Sequence, residues 1–345
     1  MPNIFELFNA KNVRYIYEED KNRAPYIGEA LFPNVRQRGI NFSFIKGKQG
    51  TPVALVSANW NTNVLYRDRI GVTEVTGKMP FFKEAYAIDE EQRQELLSVK
   101  EEYAQPIIDR IYADQADLLA GADATAERMR MQLLSTGTIS IVENGVNKQY
   151  DYGFDSASQF KELETKWSSE DADPIADINK YKAEAEKATD ETPKYIVMDN
   201  SLFNIIAGHA KTLAYFKSLL VPVAYPTKTQ VREYITNATE LQVIISDKKF
   251  REARKFGSSP VPFYPTDRFT FLSTLDLGET MYGTTQEEAD LLSKSSKASS
   301  VEITAKGVAI TTWNEVDPVN VNTKVSEVVL PSCPNIGTLY IVKCL

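Results

Sequence analysis

Residues 123–153 combine a helical pattern with a hairpin turn, and this combination restricts the fold more than any other stretch of the sequence. We expect Asp123 to cap a helix, because its carboxylate can accept the free N–H groups of a first turn. Gly137 stands where a left-handed residue closes a helix, and Asn144-Gly145 is typical of a two-residue hairpin turn. The pattern therefore predicts a helix that runs directly into a hairpin. Its apolar stripe consists of Ala126, Met129 and Leu133.

The segments before this unit are an irregular N-terminal stretch and a long β pattern. Residues 1–30 mix tyrosines, charges and prolines, so we expect them to be ordered only where they lie across another part of a structure. Residues 35–86 alternate apolar and polar side chains around a glycine-rich turn at 47–50. A two-stranded hairpin is marginally stable alone in water. Two interpretations are open: an ordinary sheet edge, and a hairpin that docks on a neighbouring subunit.

Helices are predicted on both sides of residue 123. Asp89 begins a capping box, and Asp173-Pro174 combines a capping side chain with proline at the first helical position. Pro106 and Gly121 interrupt the pattern between them. We therefore expect two or three helical pieces between 89 and 135 rather than one rod.

After Pro193 the composition changes to short apolar strands that alternate with helices. This alternation predicts a small mixed α/β domain over 194–310, in which residues 202–219 form one helix. Two further strands, at 325–330 and 338–342, do not follow from that domain, and we expect them to return to the domain before it. The predicted fold class is α+β, with 194–310 inserted as a second domain.

Composition limits the classes of function. The 345 residues carry a formal net charge of −8, so the chain is not expected to bind nucleic acid through its overall field, although it could enclose it. The sequence has neither a bilayer-spanning apolar run nor a signal peptide, which favours folding in a cytoplasm. We interpret Cys333 and Cys344 as reduced and structural, with a bridge between them as the minor alternative.

The sequence contains no motif that predicts catalysis. His209 is the one histidine and lies in an apolar segment, so we interpret it as a packed helix residue rather than a metal ligand. The basic cluster at 248–255 is interrupted by acidic residues, and pairs such as Glu287-Glu288 are interpreted as solvated charges. We therefore predict no catalytic residue, no metal ligand and no cofactor.

An ordered set of segments resembles one known family. The chain is similar to the major capsid proteins of tailed phages, in the group of the lambda major head protein E. The segments that carry the resemblance are LLSTG at 133–137 with DYG at 151–153, DPIADI at 173–178, PKYIVMDNSLFNII at 193–206, VIISDKKF at 243–250, LGETMYGTTQEE at 277–288, WNEVDPVNV at 313–321 and EVVLPSCPN at 327–335.

The resemblance implies the Hong Kong 97-type capsid fold and a structural, non-enzymatic subunit. The implied parts are an N-terminal arm at 1–34, an E-loop β-hairpin at 35–86, a P-domain with a spine helix at 87–192, an A-domain at 194–310 and a return to the P-domain at 311–345. Candidate contacts between subunits lie on the hairpin: Phe42, Phe44, Lys46, Lys48, Arg67 and Arg69.

The resemblance also implies partners. The subunit would associate with itself as pentamers and hexamers. Its other protein partners would be a separate scaffolding protein, a portal and a decoration protein. It would enclose DNA without recognising its sequence, and it would not bind a membrane. It would be assembled in the host cytoplasm into the virion capsid. Some related shells carry Lys–Asn crosslinks, for which Lys46 or Lys48 with Asn314 or Asn320 offer the residue types, but lambda-like shells favour non-covalent contacts.

Two alternatives remain at this stage. The first is a cellular nanocompartment shell of the same fold, which would carry a cargo site on its inner wall. The second is a hydrolase that uses two carboxylates across a cleft. The second alternative requires a deep cleft with perturbed acidic side chains.

Overall fold

The computed structural model of the protein describes residues 8–19, 25–46, 73–98, 105–143, 145–218, 226–251, 259–293 and 300–345. Within these residues helices and strands are mixed along the chain. The helices are α1 (Ala10–Glu19), α2 (Ile27–Leu31), α3 (Glu90–Ser98), α4 (Gln105–Thr136), α5 (Ser156–Gln159), α6 (Pro174–Thr189), α7 (Asn200–Gly208), α8 (Ala210–Ser218), α9 (Lys228–Thr239) and α10 (Gln286–Leu292), with a 3₁₀ turn at Ile336–Thr338.

The strands alternate with these helices. They are β1 (Asn34–Arg36), β2 (Asn41–Lys46), β3 (Thr73–Lys78), β4 (Phe81–Ile88), β5 (Thr138–Glu143), β6 (Val146–Asp151), β7 (Phe160–Glu162), β8 (Tyr195–Asp199), β9 (Gln242–Ser246), β10 (Lys249–Phe250), β11 (Val261–Pro262), β12 (Arg268–Leu272), β13 (Thr280–Tyr282), β14 (Ser300–Ile303), β15 (Ala309–Asn314), β16 (Val321–Pro331) and β17 (Tyr340–Lys343).

The chain divides into two compact units. The first comprises residues 1–43, 76–129 and 279–332, and the second comprises 44–75, 130–278 and 333–345. These units cut across two of the segments inferred from the sequence. Residues 279–310 lie in the first unit apart from the rest of 194–310, and 311–345 is shared between the units.

The first unit is built on a sheet of six of the described strands. Its order is β1-β13-β16-β15-β14, and β4 pairs with β16 as well. In the antiparallel register, Val321 lies opposite Ile88 and Val328 lies opposite Phe81. Val321 and Ile88 share a buried cluster with Phe8 and Ile111. The N-terminal segment, α4 and β16 therefore contribute to one core.

A half-buried ion pair joins α10 to this sheet. Lys324 of β16 forms a salt bridge with Glu287, whose other carboxylate oxygen accepts a hydrogen bond of 2.9 Å from Ser326 Oγ. Burial acts to raise the pKa of Glu287, but the hydrogen bonds from Lys324, the backbone and Ser326 outweigh it, and the net pKa is lowered. Glu287 is therefore ionised at neutral pH and ties the helix to the strand.

The second unit contains a five-stranded sheet in the order β7-β17-β12-β8-β9. Its core is rich in aromatic side chains. Trp167 stacks on Phe269 with ring centroids 5.1 Å apart, and its indole N–H donates to Asp177 Oδ2 at 3.0 Å. Burying the tryptophan with its one donor satisfied avoids the cost of an unpaired polar group.

The predicted helix-to-hairpin unit is confirmed, but its helix is much longer than expected. The helix α4 spans 32 residues. Pro106 lies in its first turn, where its missing N–H has no cost, and Gly121 does not interrupt it. Asp123 is therefore not a helix cap: it lies inside α4, where the backbone N–H groups are already bonded. This prediction was wrong.

The end of α4 follows the sequence signals. Gly137 has a φ of 72°, and its N–H donates to Leu133 O at 2.8 Å. The strands β5 and β6 then pair antiparallel, from Thr138 opposite Asp151 to Glu143 opposite Val146. A left-handed glycine closes the helix and lets the chain reverse into the hairpin.

The Asp173 cap is confirmed, but the capping box at Asp89 is only half formed, because Gln92 Oε1 has no hydrogen-bond partner among the described residues. Asp89 Oδ1 accepts from Gln92 N at 2.8 Å, and Asp173 Oδ1 accepts from Ala176 N at 3.1 Å. The single helix expected over 202–219 is broken at His209, where α7 ends and α8 begins. In the basic cluster at 248–255, Lys249 and Phe250 form strand β10, and residues 252–255 lie outside the described residues.

We predict that Gly137→Ala destabilises the subunit by at least about 2 kcal/mol, because the residue is left-handed and an added Cβ would lie 2.3 Å from the Phe154 ring. Urea unfolding of the unassembled chain measures this. Gly121→Ala is the matched control: it is helical, with nothing within 4 Å of the added Cβ, and should gain about 1 kcal/mol. Equal effects of the two substitutions would contradict the assignment.

We also predict a pH-dependent contribution from Glu287. Its folded pKa is depressed, so its stabilisation is complete above the ordinary glutamate pKa and is lost as the pH falls through the folded value. Glu287→Gln should lower stability at pH 7 by about 1–3 kcal/mol, and the difference from the natural chain should shrink in acid. Glu288→Gln, whose partner Arg36 is more exposed, is the control with a smaller effect. A pH-independent difference would refute the prediction.

Candidate functional site

The two phenylalanines proposed as contacts between subunits are buried within the chain itself. Phe42 and Phe44 lie on one face of β2 and are almost inaccessible. Phe44 stacks on Tyr152 at 5.6 Å, and a Cβ at Gly77 would lie 2.6 Å from the Phe42 ring. The prediction that these side chains contact a neighbour is therefore corrected: strand alternation exposes one apolar face, and this chain covers that face itself.

The structure does not describe the side chains of the basic residues that were proposed as contacts between subunits. Lys46 is the last residue of β2, and its side chain is outside the described part of the chain. Lys48, Arg67 and Arg69 lie outside the described residues altogether. The strands β2 and β3 pair with each other as a two-stranded sheet, so the root of the predicted hairpin is present.

The N-terminal segment lies across its own subunit. Ala10 N donates to Ser300 Oγ at 3.3 Å, and Arg14 forms a salt bridge of 3.3 Å with Glu302. Both partners belong to β14, so α1 packs on the edge of the six-stranded sheet. As expected for residues 1–30, the described residues 8–19 and 25–30 lie against other elements, and these elements belong to the same chain.

A surface loop connects β15 to β16, within the segment 313–321 that carries part of the family resemblance, but Val316 was not predicted as a contact. Val316 is 87% exposed, although the loop around it is held firmly. Glu315 N donates to Asn320 O, and Val319 N donates to Glu90 Oε1, both at 2.9 Å. Single exposed apolar side chains are common on protein surfaces, but Val316 and Val319, which is 39% exposed, lie together on this loop and form a candidate contact for another protein surface. The available signal was the pair of valines on either side of Asp317-Pro318.

Side chains that could hold a metal ion lie apart from one another in the described residues. These residues contain no group of three or more His, Cys, Asp or Glu side chains placed to hold a metal ion. His209 is buried, with Nε2 3.1 Å from Ser169 O and Nδ1 accepting from Lys211 N. Its role in the described structure is to join the break between two helices to a neighbouring loop.

The cysteines have structural roles, and the interpretation of Glu287-Glu288 as solvated charges was wrong, because both side chains are largely covered and ion-paired. Cys333 and Cys344 are free and buried, and burial raises the pKa of both thiols, so they are protonated at neutral pH. Glu287 is paired with Lys324 and Glu288 with Arg36. Its lowered pKa makes Glu287 a poor general acid. Within the described part of the chain, no helix is long and apolar enough to cross a membrane.

Similar folds occur in solved phage structures. A candidate capsid protein from a prophage of Escherichia coli CFT073 is 13% identical, with a TM-score of 0.62 over 98% of this chain and 99% of the other. A phage-related protein from Bordetella bronchiseptica RB50 is 11% identical, with a TM-score of 0.52 over 96% and 95%. The capsid asymmetric unit of cyanophage A-1(L) is 12% identical, with a TM-score of 0.50 over 94% of each chain. These likenesses support the Hong Kong 97-type capsid fold.

Comparison with curated proteins gives no match. The family model of the phage major capsid protein E, however, matches residues 14–344, which is nearly the whole chain. This match favours a phage head subunit over the nanocompartment shell. The chain therefore belongs to the phage major capsid protein E family, and it is a structural subunit of a tailed-phage head.

Proposed function

We propose that this capsid subunit assembles with itself as pentamers and hexamers in the host cytoplasm, guided by a separate scaffolding protein and started at a portal. The observation that carries the proposal is the family match over residues 14–344. Closed symmetric shells form when one self-complementary set of surfaces is repeated. A decoration protein added to the finished shell completes the proposed set of protein partners.

The proposed relation to DNA is enclosure without recognition. The net charge of −8 supports it. An acidic protein neutralises few DNA phosphates, so few of the counterions bound to the DNA are released and binding is weak. Mild electrostatic repulsion then keeps the packaged DNA mobile against the inner wall of the shell. The proposal includes no enzymatic activity, since the two acidic residues of the Glu287-Glu288 pair are each engaged by a basic partner.

The division into arm, E-loop, P-domain and A-domain is also part of the proposal. The arm would include 1–34, the E-loop 35–86, the P-domain 87–192 with 311–345, and the A-domain 194–310. Strand pairing of β2 with β3 and the length of α4 support the E-loop and the spine helix. In this view Phe42 and Phe44 root the E-loop, and the residues beyond β2 reach a neighbour.

The contacts between subunits would then be of two kinds. The basic residues Lys46, Lys48, Arg67 and Arg69 would lie against acidic surface of a neighbouring subunit, which an acidic chain offers in excess. The loop at 315–320 would supply an apolar contact through Val316. These contacts are proposed to be non-covalent, with no Lys–Asn crosslink.

We predict that replacing residues 47–72 by a short Gly-Ser turn leaves a folded subunit and abolishes shells. The replacement keeps Phe42 and Phe44, which are buried in the chain. Shell formation is observed by negative-stain electron microscopy after co-expression with the natural scaffolding protein. Thermal unfolding shows whether the shortened subunit is folded. Phe44→Ala is the contrasting variant and should lower stability by about 3–5 kcal/mol. Normal shells from the shortened chain would refute the docking role.

We predict that Val316→Asp reduces shell formation without lowering the stability of the unassembled subunit, because the side chain is 87% exposed and its loss removes little intrachain packing. Val316→Ile keeps an apolar group and is the matched control, with normal shells expected. Shell yield can be measured by sedimentation. Equal yields from the Asp and Ile variants would remove this loop from the set of contacts.

A further inference from the structure

The strands β2 and β3 form a two-stranded ribbon with one covered face. Residues alternate between the two faces of a strand, and burial follows that alternation. Phe42 and Phe44 are buried on β2, and Val75 and Gly77 are half-buried on β3. The residues of the opposite face are exposed: Asn41, Ser43, Thr76 and Lys78. The described part of the ribbon therefore lies with its apolar face against its own chain.

The two phenylalanines of β2 lie against different parts of the chain. A Cβ at Gly77 would lie 2.6 Å from the Phe42 ring, so this ring covers a glycine of the ribbon itself. Phe44 instead stacks on Tyr152, with ring centroids 5.6 Å apart and ring planes 23° from parallel. Tyr152 directly follows β6, and both of these residues belong to the second unit. Phe44 therefore connects the ribbon to the β5–β6 hairpin.

Tyr152 is held in place by its neighbours in sequence. It is 1% exposed. Gly153 N donates to Asp151 Oδ1 at 2.7 Å, which fixes the turn that follows β6. The next ring, that of Phe154, packs against Gly137, where an added Cβ would lie 2.3 Å away. Because Gly137 closes α4, the hairpin and the end of the helix together determine where the Tyr152 ring stands.

The ribbon needs such a support. Two strands alone are marginally stable in water, and the exposed polar face of this ribbon meets solvent. A stacked aromatic pair removes a large apolar area from water and also prefers a particular ring geometry. The contact of Phe44 with Tyr152 therefore contributes both stability and direction to β2 and β3.

We propose that Tyr152 is a positioning residue for the ribbon: its ring sets the direction of β2 and β3 relative to the β5–β6 hairpin before the subunit meets a neighbour. Residues 47–72 then start from a fixed base, which removes part of the ordering cost of docking. This consequence for docking rests on the proposed function. The effect of Tyr152 on the ribbon does not.

Hydrogen–deuterium exchange on the full, unassembled chain tests the role of Tyr152. In Tyr152→Leu, which removes the ring but keeps an apolar side chain, the amides of β2 and β3 should exchange about tenfold faster or more. Exchange in β5, β6 and β12 should be unchanged. Tyr152→Phe keeps the ring and should keep most of the protection. Phe263→Leu is the matched control, because it removes the ring that stacks 4.9 Å from Phe250 in the same unit and should leave the ribbon protected.

A second variant separates the contact from general damage. Phe44→Leu removes the contact from the ribbon side and leaves the turn after β6 intact, so it decides the question even where Tyr152→Leu loosens the second unit. It should speed exchange in the ribbon to a similar extent. Phe44→Leu combined with Tyr152→Leu should add little, because both substitutions remove the same contact. Unchanged ribbon exchange in Phe44→Leu, or additive effects in the double variant, would overturn the inference.

Shell formation tests the consequence for docking. With the natural scaffolding protein co-expressed, Tyr152→Leu should give fewer shells at a fixed time than Tyr152→Phe, as measured by sedimentation. Equal yields from these two variants would overturn the consequence for docking and leave the exchange result standing. If the natural chain itself forms no shells, the proposed function fails, whereas the exchange result on the unassembled chain is unaffected. The two failures are therefore distinguishable.

Discussion

The first unit depends on the hydrogen-bonded ladder of β16. This strand of 11 residues pairs with β4, β13 and β15. Its partners come from residues 81–88, 280–282 and 309–314, so one strand joins parts of the chain that are far apart in sequence. The burial of Val321 opposite Ile88 then gives that ladder an apolar face for Phe8 and α4. The backbone pairing of β16 therefore positions both the N-terminal segment and the long helix.

This long-range pairing explains which parts of the fold could be predicted. Gly137 and Asp173-Pro174 act through their immediate neighbours, so their local patterns predicted the right structure. Local alternation predicted strands and helices over 279–310, but it could not predict that β13, β14 and β15 join the sheet of β16. No local signal distinguishes a strand that pairs nearby from one that pairs across the chain.

The same limit applies to individual side chains. Asp123 is of a residue type that often caps helices, yet its partners Tyr17 and Lys306 are 106 and 183 positions away in the sequence. The alternation of Phe42 and Phe44 correctly indicated one apolar face of a strand. It could not indicate whether the same chain or a neighbour covers that face. The ordered set of family segments identified the protein where single motifs did not, because function in a shell protein resides in surfaces rather than in a reactive group.

Charge and apolar surface have opposite roles inside and outside this subunit. Inside, carboxylates such as Asp123 and Glu287 are desolvated and paired with lysines, which gives strong but highly localised attachments. Outside, Val316 offers an apolar contact of small area on a fixed loop. A shell repeats each contact many times by symmetry, so each contact can be weak and errors in assembly can be reversed. The subunit must then keep its own parts together more firmly than it holds its neighbours. The half-buried ion pairs contribute to this, because breaking one leaves a partly desolvated carboxylate, whereas separating an exposed valine does not.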